Sequence, residues 1–68
     1  MKLSARNQLS GMVKSVKLGN VMAEVVVEVH GAEVVSVITR RSAENLNVKP
    51  GTPVTVIIKA TEVMLATE

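Results

Sequence analysis

The side chains of this chain that could do chemistry are hydroxyls and cations near the ends of apolar segments. They fall into three groups, namely Ser4 with Arg6, then Thr39, Arg40, Arg41 and Ser42, and then Lys59 with Thr61. Such a set suits a small tetrahedral oxyanion, because hydroxyl and backbone N–H groups donate directional hydrogen bonds while Arg or Lys balances the charge. The residue types alone leave two interpretations open, an anion site and solvated strand ends.

Catalysis has no candidate machinery in the sequence. His30 is the only histidine and cysteine is absent, so no cluster of metal-ligating side chains is expected. Glu24 and Glu28 fall on one polar strand face, where solvation is a simpler explanation than acid–base catalysis. No phosphate loop, nucleophile elbow or cofactor fingerprint occurs. We therefore expect a protein that is not an enzyme and has no organic cofactor.

Strand-forming residues, above all valine, dominate the chain and predict an all-β fold. The alternation predicts strands over residues 9–18, 21–30, 33–39, 54–59 and 63–66, with a bulge near Lys14 and Ser15, where the apolar parity changes. Gly31 and Ala32 are expected to turn the second strand into the third. Residues 41–47, with Ser42 as a candidate N-cap, are the one helical segment. This order predicts a single domain, residues 1–68, with an OB-like five-stranded Greek-key barrel and one short helix between strands 3 and 4.

Several predicted strands are apolar on both faces. Residues 25–27, 34–35 and 56–58 are all large and aliphatic, so some of their side chains must point out of any barrel. A chain of 68 residues also buries a smaller share of its surface than a larger domain does, and no disulfide can compensate. We therefore expect a homo-oligomer in which the outward faces pack against other copies.

Composition also bears on partners and compartment. The net charge of +2 is compatible with an anionic ligand without requiring one. The chain has no Phe, Tyr or Trp on which bases could stack, which argues against nucleic acid as a partner. No apolar run approaches the roughly 20 residues that span a bilayer, and no signal peptide is evident. A cytoplasmic protein is expected. The alternatives to an oxyanion-binding function are a nucleic-acid-binding OB module and a purely structural oligomerisation domain.

Two motifs near the chain ends carry a resemblance to a known family. SARNQL at residues 4–9 and KATEVML at residues 59–65 together resemble the signature ends of the molybdate-binding Mop domain, the molbindin family. The resemblance extends over Gly11, VMAEV at 21–25 and VSVITRRSAENLNVKPG at 35–51. It implies an OB-like fold that assembles as a hexamer, a trimer of dimers, and binds molybdate or tungstate between subunits for storage or homeostasis.

The resemblance also implies which residues contact the oxyanion, whose metal is held within the anion and not by side-chain ligands. The motifs transfer to Ser4, Ala5, Arg6, Thr39, Ser42, Lys59 and Ala60, and the adjoining Asn7 and Thr61 are further candidates. Ala60 departs from the family pattern, because many relatives have serine there, so a contact at this position must come from the backbone N–H. A second kind of oxyanion site at other subunit contacts is also implied, for which we nominate Gly19, Asn20 and Ser36.

Overall fold

The computed structural model describes residues 1–68 and contains one antiparallel sheet and one short α-helix. In chain order the elements are β1 (Asn7–Leu18), β2 (Met22–Val29), β3 (Ala32–Thr39), α1 (Arg40–Leu46), β4 (Pro53–Ile58) and a 3₁₀ turn (Ala60–Glu62). The strands lie in the order β3-β2-β1-β4, which is the spatial order of a Greek key. The all-β prediction is confirmed.

The predicted fifth strand, and with it the closed five-stranded barrel, is not confirmed in the single chain. Residues 63–66 pair with no strand, and the sheet has four strands, with β3 and β4 as free edges. A strand needs a hydrogen-bonding partner as well as apolar, β-branched residues. Within one chain the segment after β4 passes through the 3₁₀ turn and meets no strand edge, so its composition alone does not make it a strand.

β1 is a long strand that pairs with two neighbouring strands. Its first half pairs with β4, from Asn7 opposite Ile58 to Met12 opposite Pro53. Its second half pairs with β2, and the register shifts between Val13 and Ser15. The predicted bulge is confirmed, because this shift lies where the apolar side chains change parity. The bulge bends β1 so that the two halves belong to one curled sheet.

The core lies on one face of this sheet. Its buried members are Ala23, Val25, Val27 and Val29 of β2, together with Val13 and Ala43. The alternation predicted for the second strand is therefore confirmed, except at Val21, which lies in the turn before β2 and is exposed. Half-buried aliphatic residues of β1, β3 and β4 pack around these valines.

The opposite face of the sheet carries exposed aliphatic side chains beside the carboxylates Glu24, Glu28 and Glu33. Val35 and Val37 of β3 remain 59% and 61% exposed, and Ile57 of β4 is 43% exposed. This agrees with the expectation that some strands are apolar on both faces. Water-exposed aliphatic surface of this kind is typical of a contact region between proteins.

The turn between β2 and β3 is centred one residue earlier than predicted. His30 and Gly31 both have positive φ, 48° and 84°, as the central pair of a type I′ hairpin requires. Gly31 and Ala32 are therefore not the central pair, and the lone histidine is an exposed turn residue.

No helix of the structure has the length and hydropathy needed to cross a bilayer.

Candidate functional site

A surface cleft joins the two end segments of the chain. It has a volume of about 320 Å³ and is lined by residues 4–6 and 59–61. Strand pairing explains the cleft, because Asn7 opposite Ile58 is the first pair of the β1–β4 ladder. Residues just outside that pair must lie side by side. Five of the residues transferred from the Mop motifs thereby meet within one chain, namely Ser4, Ala5, Arg6, Lys59 and Ala60, together with the adjoining candidate Thr61.

The cleft carries positive charge that no carboxylate in the chain neutralises. Its two cations are Arg6 and Lys59, and the chain's two ion pairs lie elsewhere, between Lys14 and Glu33 and within α1. The hydroxyls of Ser4 and Thr61 also line the cleft. Charge-assisted donors without an internal acceptor are suited to an anion from solution.

Backbone N–H groups add to this donor set. The 3₁₀ turn is closed by the N–H of Glu62, which donates to the carbonyl of Lys59 at 2.9 Å, and by that of Val63, which donates to Ala60 at 3.4 Å. The N–H groups of Ala60 and Thr61 donate to no backbone acceptor. Ala60 can therefore still offer a hydrogen-bond donor although it lacks a hydroxyl.

Asn7 and Gln8 follow the cleft residues 4–6 directly in the chain. Asn7 is half-buried at the start of β1 and adjoins the lining residues without being one of them. Gln8 was not nominated from the sequence, yet its Nε2 donates to the carbonyl of Ala5 at 2.6 Å. This bond anchors the segment of residues 4–6. The sequence feature that indicates this hydrogen bond is an amide side chain three residues after the carbonyl that it binds.

Thr39 and Ser42 lie at the far end of the sheet from the cleft. Thr39 is opposite Met22, and this end adjoins Leu18, whereas the cleft lies beyond Asn7 at the other end of β1. The length of β1 therefore separates the two parts of the predicted site within one chain. The structure does not bring Thr39 and Ser42 to the cleft.

At that far end the helix start is built differently from the prediction. Thr39, not Ser42, is the N-cap of α1, because the helix begins at Arg40 and only Thr39 has the required extended backbone. The Thr39 Oγ1 accepts from the Ser42 N–H at 3.1 Å and donates to the Ser42 Oγ at 2.8 Å. Arg40 is engaged with Glu44 and with the carbonyl of Gly19. Arg41 makes no side-chain hydrogen bond or ion pair, so it adds free positive charge beside the two hydroxyls.

The three residues nominated for a second site are not together in one chain. The Gly19 N–H donates to the carbonyl of Met22 at 2.7 Å, in the turn that also holds the exposed Asn20. Ser36 lies opposite Val25 in β3 and lines an apolar groove. A single copy therefore offers only parts of such a site.

No other chemical centre is evident. The structure has no group of three or more His, Cys, Asp or Glu side chains that could hold a metal ion. The hydrogen bond and the charge of Glu33 raise the pKa of Lys14 above the ordinary lysine value. Neither residue lines the cleft, so this ion pair supports the strands and not the candidate site.

Comparison with known proteins agrees with the motifs and the fold. The TOBE domain family model matches residues 3–65. The chain is 53% identical over 66 residues to molybdenum-pterin-binding protein 3 of Clostridium pasteurianum, over 96% of this chain and 97% of that protein. A solved molybdate-binding protein from Sporomusa ovata has a TM-score of 0.93 and 42% identity, covering 98% of this chain and 100% of that one. The cytoplasmic molybdate-binding protein ModG, with molybdate bound, has a TM-score of 0.83 and 41% identity, covering 88% of this chain and 43% of that one. The chain therefore belongs to the TOBE domain family and, within it, to the molbindin (Mop) proteins.

Proposed function

We propose that this chain binds molybdate or tungstate and serves in the storage or homeostasis of the metal in the cytoplasm. The observation that carries the proposal is the cleft of residues 4–6 and 59–61, whose two cations have no carboxylate partner in the chain. The names of the similar proteins support it, since they are described as molybdenum-pterin-binding or molybdate-binding, and ModG as cytoplasmic. We propose binding, not catalysis, as the role of a single Mop unit, residues 1–68.

The donors of the cleft match the chemistry of a tetrahedral dianion. Arg6 and Lys59 together supply two positive charges, and a guanidinium contributes directional donors where an ammonium acts as a compact charge. Hydroxyls of Ser4 and Thr61 would donate to further oxygens. The N–H groups of Ala5 and Ala60, with Asn7 beside them, would complete the set.

We propose that the site is completed between copies. Thr39 and Ser42 lie a strand's length from the cleft in their own chain, so they can reach an ion there only from a neighbour. The exposed aliphatic face of β3 supports such assembly. Following the family resemblance, we propose a hexamer built as a trimer of dimers. The second set, Gly19, Asn20 and Ser36, would likewise form an oxyanion site only across a contact between copies.

Ligand binding would then stabilise the assembly. A ligand that prefers the assembled state adds RT ln(1 + [L]/Kd), about 2.7 kcal/mol for one site at a hundredfold excess over Kd. The thermal midpoint of the oligomer is therefore expected to rise with molybdate or tungstate. It should not rise with an equal concentration of chloride.

Calorimetric titration of the oligomer with molybdate, tungstate and sulfate tests the proposal. Arg6→Ala and Lys59→Ala each remove a charged donor whose hydrogen bond contributes about 1.5–3 kcal/mol, so each should weaken binding by about 10- to 150-fold. Lys49→Ala is the matched control, because Lys49 is exposed and does not line the cleft. Absence of heat with both metal oxyanions from folded oligomer would contradict the function.

The alternative functions are distinguished by the titration together with a gel-shift assay. A gel shift with single-stranded DNA at modest salt would indicate a nucleic-acid-binding module. An oligomer that ignores all oxyanions would indicate a structural assembly domain. Normal binding by both cleft variants would show instead that the oxyanion is held elsewhere.

A further inference from the structure

The segment that forms one wall of the cleft has few restraints of its own. Residues 4–6 line the cleft, but they precede β1, which begins at Asn7. Among the backbone hydrogen bonds made outside the helix and the strands, none involves them. The one side-chain hydrogen bond that reaches them runs from the Gln8 Nε2 to the carbonyl of Ala5, at 2.6 Å. The conformation of this wall therefore depends on Gln8.

Gln8 reaches the segment from a fixed position. It is the second residue of β1 and lies opposite Ile57 of β4, so the sheet holds its backbone. Its side chain extends back over three residues to Ala5. Ala5 is half-buried, whereas Ser4 and Arg6 on either side of it are exposed. The bond thus ties the middle of the segment to the sheet.

The direction of this bond matters for an anion in the cleft. The chain has no cis peptide bond, and in a trans peptide the C=O and the following N–H point to opposite sides of a rigid plane. A carbonyl of Ala5 that is held at Gln8 therefore directs the N–H of Arg6 to the other side. Without the bond, the peptide could rotate and turn the partly negative carbonyl oxygen toward the anion.

The N–H of Arg6 is available as a donor. It donates to no backbone acceptor outside the regular elements and to no side chain, and it belongs to a residue whose guanidinium also serves the cleft. We propose that Gln8 is a positioning residue for the oxyanion, because its amide holds the Ala5 carbonyl away from the anion and presents the Arg6 N–H to it. This role rests on the proposed oxyanion function.

A purely structural role of Gln8 would have a different effect. If the bond only stabilised the start of β1, its loss would lower the stability of the ligand-free protein and leave the affinity of the folded protein unchanged. A positioning residue affects the affinity instead. Because Gln8 is exposed at the end of the sheet, we expect the ligand-free protein to unfold at nearly the same urea concentration without the bond.

Substitution of Gln8 tests the role by calorimetric titration with molybdate and tungstate. Gln8→Met keeps the length of the side chain without a donor, and Gln8→Ala removes the donor by truncation. A neutral hydrogen bond contributes a factor of about 2 to 10 to an equilibrium constant, so both variants should bind either oxyanion more weakly by about that factor. Light scattering and circular dichroism establish that the variants retain the oligomer and the sheet.

Ser10→Met is the matched control for Gln8→Met. Ser10 is exposed, does not line the cleft and lies two residues along β1, so its side chain leaves the same face of the strand. The same methionine is thereby introduced away from Ala5. We expect the affinity of Ser10→Met to equal that of the wild type.

The amide proton of Arg6 supplies a readout that requires no substitution. In the isotope-labelled wild type, saturation with tungstate should move its resonance downfield, because the N–H becomes a donor to a charged acceptor. In folded Gln8→Met at saturation, the displacement should be smaller. This comparison reports the orientation of one peptide and is independent of stability.

The outcomes separate this role from the proposed function. If the wild type binds oxyanion and folded Gln8→Met and Gln8→Ala bind it equally well, the positioning role is wrong and the function stands. An Arg6 amide resonance that does not move at saturation also overturns the role. A loss in Ser10→Met as large as in Gln8→Met would assign the effect to the strand face and not to the bond. A wild type that binds neither oxyanion contradicts the function, and the role of Gln8 with it.

Discussion

Gly11 is the position where a single added methyl group should be most informative. A Cβ there would lie 2.7 Å from the carbonyl oxygen of Glu28, 2.7 Å from Cγ1 of Val27 and 2.9 Å from Cγ2 of Val29. All three distances are shorter than real Cβ contacts allow, and one of the atoms belongs to the backbone of β2. Gly11 also pairs with Val54 of β4. Gly11→Ala must therefore push β1 away from β2 in the middle of the sheet.

The expected loss combines two opposing effects. Overpacking of a well-filled core costs about 1–3 kcal/mol. Replacing glycine reduces the entropy of the unfolded chain and returns about 0.4–1 kcal/mol. The difference is a destabilisation of about 0–2.6 kcal/mol, and because one clashing atom belongs to the backbone we expect its upper part, about 1–2.6 kcal/mol, or a thermal midpoint lower by roughly 4–20 °C for a domain of this size. Glycine is required at position 11 because β2 approaches this closely. A positive φ is not the reason.

Urea unfolding followed by circular dichroism measures this change at one fixed protein concentration. Ser10→Ala is the control, because Ser10 is the exposed neighbour of Gly11 and should shift the midpoint little. Since β1 also aligns the cleft segments through its pairing with β4, oxyanion affinity should fall together with stability. A Gly11→Ala protein as stable as the wild type would show that β1 and β2 do not approach this closely.

Three further changes test other contacts. Glu33 raises the pKa of Lys14, so this ion pair stabilises the fold fully below the ordinary lysine pKa of 10.5 and loses its effect as pH rises through the raised value. The urea midpoints of wild type and Lys14→Met should therefore converge above that pH, and a constant difference would contradict the pairing. Thr39→Ala removes the N-cap of α1 and should cost about 1 kcal/mol in thermal unfolding, while Thr39→Ser retains most of it; equal losses would refute the cap. Ala60→Ser adds a hydroxyl to the cleft and should tighten oxyanion binding by up to about tenfold in titrations, because a hydrogen bond to a charged group contributes about 1.5 kcal/mol. Ala66→Ser lies outside the cleft and should leave the affinity unchanged; a similar gain in both would contradict the role of the cleft.

Local patterns in the sequence predicted the parts of the fold that depend on neighbouring residues. The alternation of Ala23, Val25, Val27 and Val29 identified the core face of β2, because side chains of a strand point to opposite faces in turn. The parity change near Ser15 predicted the bulge in β1 for the same reason. The predicted helix was off by one residue at each end, and its N-cap is Thr39 in place of Ser42, since both residues carry a hydroxyl that can act as an N-cap.

Residues 63–66 show which part of the fold local patterns do not determine. These four residues have the composition of a strand, and the prediction of a fifth strand followed from that composition. Strand formation also requires an edge within reach, which depends on how the rest of the chain is arranged.

The sequence by itself determined the residue types of the candidate site and the all-β class, because charge, hydroxyl groups and alternation are properties of the residues. Only the tertiary structure decided which of those residues meet. The pairing of Asn7 with Ile58 brings residues 4–6 to residues 59–61, although more than fifty positions separate them in the chain. The same ladder places Thr39 at the opposite end of the sheet. Strand register, which is set by long-range packing and hydrogen bonding, therefore divides one sequence-predicted site into two separated parts.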